Sequence, residues 1–103
     1  MTVIGTFTST ADGYVGHIRT LMVRRRVRFR VNEGAHHGRN PPAFRLLSGE
    51  TEIGLAWKAV SRDHRPYLAV LIDDPAWPAP VRASLIESDG EARLVWKRRP
   101  GDR

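Results

Sequence analysis

The sequence predicts an all-β domain, either a small antiparallel sheet or a partly open barrel or sandwich of about seven to eight short strands. Apolar residues mostly alternate with polar ones or come in short runs, which is typical of half-buried strands. Turn-forming residues interrupt these runs roughly every eight to twelve positions. No segment has the length and periodicity of a long helix.

The first two strands are predicted at residues 3–8 and 14–20, on either side of Asp12-Gly13. Asp-Gly is favoured in tight hairpin turns, because glycine accepts the positive φ that such turns need. Ile18, Leu21 and Met22 also have helical spacing, so a helix over residues 18–25 is an alternative. The period of two beyond residue 23 favours a strand there.

The third strand, Arg24–Val31, alternates most clearly. Its apolar residues share one face and its cations share the other. The apolar face consists of Val27, Phe29 and Val31, and the cationic face consists of Arg26, Arg28 and Arg30. The strand is therefore predicted to bury one side and present arginines on the other.

A long loop over residues 32–42 separates the third strand from the rest of the sheet, because it contains Pro41-Pro42 and several turn formers. The remaining strands are predicted at residues 43–48, 52–61, 67–73, 81–88 and 91–98. A proline-rich connection at residues 73–80 precedes the last two strands, and Asp89-Gly90 joins them in a second hairpin.

The length and composition fit one β domain over residues 1–99, followed by a frayed tail at residues 100–103. Lys and Arg number 17 against 11 Asp and Glu, which gives a net charge of +6. The absence of cysteine excludes disulfides, a thiol nucleophile and thiolate metal sites. No signal peptide and no membrane-spanning apolar run is visible, so we expect a cytoplasmic protein without membrane contact.

Several short motifs, taken in order, resemble one bacterial family. They are Ile4-Gly5-Thr6-Phe7-Thr8, Asp12-Gly13-Tyr14 with Gly16 and Ile18-Arg19-Thr20-Leu21, Glu52-Ile53-Gly54 with Ala56-Trp57-Lys58, Ser61-Arg62 before Tyr67-Leu68, and Asp73-Asp74-Pro75 before Pro78-Ala79-Pro80. Their order and spacing resemble the family called domain of unknown function 736, across nearly the whole chain. The resemblance implies a small β-rich domain, often encoded on plasmids and integrated conjugative elements beside transfer and partition genes. It implies no catalytic residues.

The arginines of the third strand are the strongest candidate for a binding site. The guanidinium group of arginine can donate two hydrogen bonds to one phosphate and can stack on bases. A row of arginines therefore suits a single-stranded nucleic-acid backbone. The candidate residues are Arg24, Arg26, Arg28 and Arg30, with Lys97, Arg98 and Arg99 as an extension if the strands are neighbours, and Trp77, Tyr14 and Tyr67 as stacking surfaces. The alternative is that the arginines only solvate an outer face or protect an edge strand from aggregation.

The tryptophans divide into two groups. Trp57 and Trp96 alternate in phase with aliphatic residues, which predicts that both belong to the core. Trp77 lies between prolines in a loop, where it is either a plug over one end of the sheet or an exposed binding residue.

An enzyme is the least supported class. Asp73 and Asp74 precede a proline, as in ordinary turns, and His36-His37 has no partner at a metal-ligand spacing. No nucleophile elbow, phosphate-binding loop or dinucleotide fingerprint occurs. We therefore expect no catalytic residues, no metal and no cofactor.

Two functions remain. The first is a non-enzymatic, nucleic-acid-associated accessory protein of a mobile genetic element, which binds single strands or a nucleoprotein complex through its arginine-rich face. The alternative is a protein-interaction module, such as a homodimer formed through exposed strand edges or a partner of a transfer-machinery protein, with no nucleic-acid binding of its own.

Overall fold

A computed structural model describes residues 2–21, 23–32, 41–75 and 78–97 of the chain. These residues form eight β-strands and, within the described ranges, no helix. The strands are β1 (Thr2–Thr10), β2 (Gly13–Arg19), β3 (Arg24–Val31), β4 (Phe44–Ser48), β5 (Thr51–Val60), β6 (Pro66–Ile72), β7 (Val81–Ser88) and β8 (Glu91–Trp96). The bounds of β3 and β7 are those predicted from the sequence. The helix considered over residues 18–25 does not form, because β2 continues to Arg19 and β3 begins at Arg24.

The strands form a closed antiparallel barrel in sequence order. Each strand pairs with the next, and β8 closes the sheet on β1. The all-β prediction is confirmed, and the barrel is fully closed rather than partly open. Closure removes the long free edges that an open sheet would expose. Unpaired backbone within the described strands is confined to staggered ends, such as Arg24–Val27, which extends past the pairing of β3 with β4.

The inward-facing residues fill the barrel as a continuous apolar core. Its most enclosed side chains are between 0 and 2% exposed, and the largest of them are Phe7, Phe29, Leu46, Ile72, Leu94 and Val27. Every second residue of each strand contributes, because successive side chains point to opposite faces of the sheet. The barrel is therefore held by packed side chains and does not enclose an open channel at its centre.

Aromatic rings pack edge-on in one half of this core. The ring of Phe7 meets that of Phe29 at 5.1 Å between centroids, with an interplanar angle of 80°. Tyr14 packs against Phe29 at 5.9 Å and against Phe44 at the same distance. Such edge-to-face contacts add to the stabilisation that burial provides.

Two interior glycines allow neighbouring strands and rings to approach closely. A Cβ on Gly16 would lie 2.0 Å from the carbonyl oxygen of Thr6 and 2.8 Å from the ring of Phe7. A Cβ on Gly54 would lie 2.2 Å from the carbonyl oxygen of Leu71. Glycine at these positions lets the sheet bend tightly enough to close.

The turns divide the barrel into two ends. The upper end carries the β1–β2, β5–β6 and β7–β8 turns, and the lower end carries the β2–β3 and β4–β5 turns with the 73–80 connection. Asp89 and Gly90 have φ of 54° and 80°, as the predicted hairpin requires. The first hairpin is shifted by one residue from Asp12-Gly13, because Thr10 pairs with Gly13 and leaves Ala11-Asp12 as the turn. Within the described ranges, the chain has no helix long and apolar enough to cross a membrane.

Candidate functional site

The outward side of β2, β3 and β4 carries a concentrated set of cations. Strand alternation places Arg24, Arg26, Arg28 and Arg30 of β3 on this outer surface, opposite to the buried Val27 and Phe29. The neighbouring strands add Arg19 and Arg45. We call this set the arginine face, and it consists of Arg19, Arg24, Arg26, Arg28, Arg30 and Arg45.

The register places several of these cations directly opposite each other. Arg19 pairs with Arg24 across β2 and β3, and Arg30 pairs with Arg45 across β3 and β4. His17 pairs with Arg26 between them. Like charges in directly opposed positions destabilise a sheet. The barrel therefore maintains an arrangement of like charges that folding alone does not favour.

Few carboxylates neutralise this face. Arg45 forms an ion pair with Glu52 at 2.5 Å, at the border with β5. The guanidinium of Arg28 donates a hydrogen bond to the carbonyl of Gly49, at 3.0 Å. Within the described ranges, no arginine of β3 lies in a salt bridge with a carboxylate. Their charges are thus directed into solvent and accessible to an anion.

A shallow depression of about 330 Å³ borders the arginine face and lies on β1 and β2. Thr6, Thr8, His17 and Arg26 contribute polar groups to its lining, and Glu91 stands at its far side. Threonine hydroxyls and arginine are both common donors to phosphate oxygens. The depression therefore extends the cationic surface towards β1.

Of the other residues proposed for nucleic-acid binding, Lys97 is described by the structure and does not join this face. Lys97 follows β8, and β8 is separated from β3 by β1 and β2, so the condition of neighbouring strands is not met. Trp77, Arg98 and Arg99 lie outside the described residues, as does the His36-His37 pair. Among the described residues, the face consists of strand arginines without the C-terminal extension.

The tyrosines considered as stacking surfaces lie elsewhere. Tyr14 points into the barrel, where it contacts Phe29 and Phe44. Burial is the main cause that raises its pKa above the ordinary value of 10.0, and the charge of Glu87 and a hydrogen bond donated to Glu87 contribute further. Tyr67 lies on the outer side of β6, on another part of the barrel. The interpretation of both as stacking partners of the arginines is therefore wrong.

A contrasting outer surface covers β5, β6 and β7. Most of its outward residues are uncharged, and we call the following set the apolar face: Leu55, Trp57, Ala59, Tyr67, Ala69, Leu71, Ser84 and Ile86. Arg82, the exposed cross-strand partner of Leu71, borders this set. Trp57 was expected in the core, but the interior positions of β5 are Gly54 and Ala56, both buried. The period of two was right and its phase was reversed, since both faces of β5 are apolar. Ile53 lies at a β-bulge and leaves the alternation altogether.

Trp96 is half-buried at the lower end of the barrel. It keeps the interior phase of Leu94, but it lines a cavity at this end of the barrel and is not one of the buried core residues that the sequence predicted it to be. No group of three or more metal-binding side chains lies among the residues that the structure describes.

Arg19 and Arg45 were missed as members of the arginine face, and His17 was missed as their neighbour. Arg45 is the one basic residue of β4, and β2 contains only His17 and Arg19, so the linear sequence contains no cluster there. Only the cross-strand register brings them next to the β3 arginines. Arg19 and His17 would have been found if the pairing register of β2 and β3 could have been predicted from the turn between them.

The sequence model of the family described as "Protein of unknown function (DUF736)" matches residues 3–99. Neither a curated protein nor a solved structure matches the chain. Because the family match spans nearly its whole length, the chain belongs to the DUF736 family.

Proposed function

We propose that this DUF736 protein is a non-enzymatic, nucleic-acid-associated protein that holds single strands or a nucleoprotein complex on its arginine face. The proposed ligand is the phosphate backbone, and the proposed role is accessory to a mobile genetic element in the bacterial cytoplasm. That setting is inferred from the plasmids and conjugative elements with which the family resemblance is associated.

The observation that supports this proposal most directly is the pairing of like charges. Arg19 with Arg24, and Arg30 with Arg45, are direct cross-strand partners on an outer surface. A purely solvating surface would be more stable with opposite charges in these positions. Glu52 already pairs with Arg45, whereas among the described residues no carboxylate forms a salt bridge with Arg19 or Arg24. A polyanion lying across the face would therefore relieve chiefly the repulsion between Arg19 and Arg24.

The geometry favours contact with a backbone. Outward residues two apart on a strand are separated by roughly 6.5–7 Å, so the β3 arginines form a row along which a chain of phosphates can lie. Phosphate contacts fix position but carry no sequence information. We therefore expect binding that depends strongly on salt and weakly on sequence.

The described residues of the arginine face include no aromatic ring on which bases could stack. Stacking is the interaction that usually gives preference for unpaired strands. Without it, the preference for single strands over duplex must come from how well the backbone follows the row of arginines. We expect this preference to be modest.

The salt dependence of oligonucleotide binding tests the proposal. A fluorescein-labelled oligothymidylate and a duplex of equal length are titrated at several salt concentrations. If the β3 arginines neutralise about four phosphates, log Kobs falls with log salt at a slope of about −2.8 for the single strand. Substituting Arg26 and Arg30 by Gln removes two of these contacts and reduces the slope to about −1.4.

A matched control carries the same loss of charge elsewhere. Arg62 and Arg65 are exposed in the β5–β6 turn, and their double substitution by Gln lowers the net charge equally. The control should keep the wild-type slope. Equal effects of the two double variants would reduce the interaction to net charge, and absence of binding at low salt would refute the proposal.

A second candidate function is self-association through the apolar face. The row Trp57, Ala69, Ser84 and Val95 crosses β5 to β8 without a charged residue. Exposed apolar patches of this kind commonly mark interaction sites. Among the described strands, the route through strand edges is limited to staggered ends such as Arg24–Val27, because each strand has a paired neighbour on both sides.

The proposed occupant of the apolar face is a second copy of the chain, and the charges restrict how the two copies can be oriented. The protein carries a net charge of +6, so two copies avoid each other unless their cationic surfaces stay apart. Contact between two apolar faces leaves both arginine faces on the outside of the dimer. Self-association and nucleic-acid binding are therefore compatible, and a dimer would offer two arginine faces to one strand.

A further inference from the structure

Two cavities open together at the lower end of the barrel. Their volumes are about 560 and 620 Å³, and both are lined by Ile18, Val23 and Ile72. Shared lining makes them two lobes of one depression, which we call the lower mouth. Volumes in this range are typical of small-molecule sites. The lower mouth borders the arginine face and shares Arg19 and Arg24 with it, but it opens at the end of the barrel and contains Arg25, which the arginine face lacks.

One lobe of the lower mouth is apolar. Beyond the shared residues, carbon-rich side chains form most of its lining: Val3, Ile4, Leu21, Pro78, Ala79, Pro80, Val81 and Trp96. The few polar side chains in this lobe are Thr2, Thr20 and Arg19. Such a surface suits a hydrocarbon group and offers little to a ligand that needs many hydrogen bonds.

The other lobe is lined by polar and apolar residues in equal number, and it carries an unusual cation. Arg25 is the direct cross-strand partner of Ile18, so it occupies an inward position of β3. Arg24, Ser48 and Thr51 line the same lobe, and Asp74 also contributes to it. Two guanidinium groups against one carboxylate leave this lobe with a net positive charge.

The lobe exists because the strands are staggered. The lower part of β3 extends past its pairing with β4, which begins only at Arg28. The resulting notch lies between β3 and the β4–β5 turn. It gives an anionic group access to Arg25 from solvent while the apolar lobe lies adjacent.

We propose that the lower mouth binds an amphipathic anion, namely an unbranched hydrocarbon chain that ends in a carboxylate. The carboxylate would lie against Arg25 and Arg24, because a planar guanidinium matches a carboxylate with two hydrogen bonds. The chain would lie in the apolar lobe beside Trp96 and Val81. The anionic end of such a ligand matches the lobe that contains Arg25, and its unbranched hydrocarbon chain matches the apolar lobe.

A nucleotide fits the same division less well. Its phosphate could bind at Arg25, but its base would enter a lobe with few groups to satisfy donors and acceptors.

The ligand also stops at the mouth, because the core beneath it is packed, with Val27 and Ile72 at most 1% exposed. The site is therefore a shallow cleft for a flexible chain.

The isoleucines of this chain provide an internal test. Ile4, Ile18, Ile53 and Ile72 line the lower mouth, whereas Ile86 is 43% exposed on the outer wall. Their methyl signals are followed by NMR during titration with dodecanoate, dodecyltrimethylammonium or dodecanol, each below its micelle concentration. Dodecanoate should shift the mouth methyl groups in a saturable 1:1 manner and leave Ile86 unchanged.

Charge specificity distinguishes this site from general adsorption. We expect dodecanol and dodecyltrimethylammonium to bind at least tenfold more weakly than dodecanoate, and Arg25→Gln to weaken dodecanoate about tenfold. Arg82→Gln, an exposed arginine on β7, is the control that should leave binding unchanged. Movement of Ile86 along with the other methyl groups, equal affinity for the three compounds, or an unchanged affinity in Arg25→Gln would overturn the proposal.

The outcome is independent of the nucleic-acid proposal. Arg25 is not part of the arginine face, so Arg25→Gln should keep its oligonucleotide affinity within the effect of one surface charge. If Arg25→Gln does not fold, the three probe compounds on the wild-type protein still decide the question. Failure to bind dodecanoate would remove this site and leave the arginine face untouched.

Discussion

The arginine face and the apolar face are built on the same barrel from strands of similar length, yet their outer surfaces have opposite character. β3 alternates arginine with buried apolar residues, so only one of its sides is apolar. β6 is apolar on both sides, with Leu68, Val70 and Ile72 buried and Tyr67, Ala69 and Leu71 half-buried on the outside. The buried residues of both strands are apolar, because they pack together in the core of the closed barrel.

The difference teaches where function is encoded in such a barrel. Inner residues are constrained by packing, so their pattern reports only the fold. Outer residues contribute little to closure, so a departure from a mixed polar surface needs another reason. The arginine face departs from a mixed polar surface through its unneutralised cations, and the apolar face departs from it through its apolar side chains. This supports the assignment of nucleic-acid contact to the first and self-association to the second.

The largest expected effect comes from disrupting the apolar core, which lies beneath both faces. Phe29→Ala removes a ring that is 1% exposed and packs edge-on against Phe7 and Tyr14. We expect the free energy of unfolding to fall by about 3–5 kcal/mol, measured by urea denaturation. Ile86→Ala, on the outer wall, should cost less than about 1 kcal/mol. Similar costs for the two variants would contradict the inner and outer assignment.

Introducing charge into the apolar face tests its role directly. Ala69→Arg places a cation at the centre of the row between Trp57 and Ser84, pointing outward. If two copies associate there, burying an unpaired charge weakens the dimer by about 2 kcal/mol or more, seen as a shift to monomer in sedimentation velocity. Wild type and Ala69→Arg sedimenting alike would remove this face as an interface between copies.

Relieving the repulsion on the arginine face should stabilise the protein. Arg24→Gln removes the like charge opposite Arg19, so the free energy of unfolding should rise by about 0.2–1 kcal/mol at low salt. High salt should remove the difference, since the charges are exposed and screened. A loss of stability at low salt would show that the opposed arginines are not a cost of the fold.

The smallest effect concerns Tyr14 at the upper end, where burial and Glu87 raise the pKa of its hydroxyl above 10.0. The neutral hydroxyl is favoured in the folded state, so stability present below pH 10 is lost as the pH rises through the raised pKa. Tyr14→Phe should show a shallower loss of stability above pH 10 in denaturation curves. Glu87→Gln should recover part of this change, and identical slopes for all three proteins would contradict the assigned contact.

The strand pattern predicted most of the fold. Each strand was located to within a few residues, because alternation and Asp-Gly turns are local signals. The phase of β5 was lost, since Gly54 and Ala56 are small and Leu55 and Trp57 large, so side-chain size pointed to the wrong side. Barrel closure also could not be predicted, because the pairing of β1 with β8 joins the two ends of the chain.

The candidate site was predicted only in part. The β3 arginines follow from one strand read alone, and their outward direction follows from the burial of Val27 and Phe29. Arg19 and Arg45 joined them through cross-strand register, which depends on turn geometry rather than on composition. Arg25 was not singled out from the sequence, and only its cross-strand pairing with Ile18 places it on the inward side, at the open lower mouth.

The central claim is that nucleic acid contacts the arginine face and not the apolar face. The most direct measurement is a map of backbone and arginine side-chain NMR shifts in wild-type protein as an unlabelled oligothymidylate is added at low salt. The account predicts shifts at Arg26, Arg30 and the outward residues of β2 and β4, with β6 unchanged. Shifts centred on β5–β7, or no shifts anywhere at low salt, would contradict it.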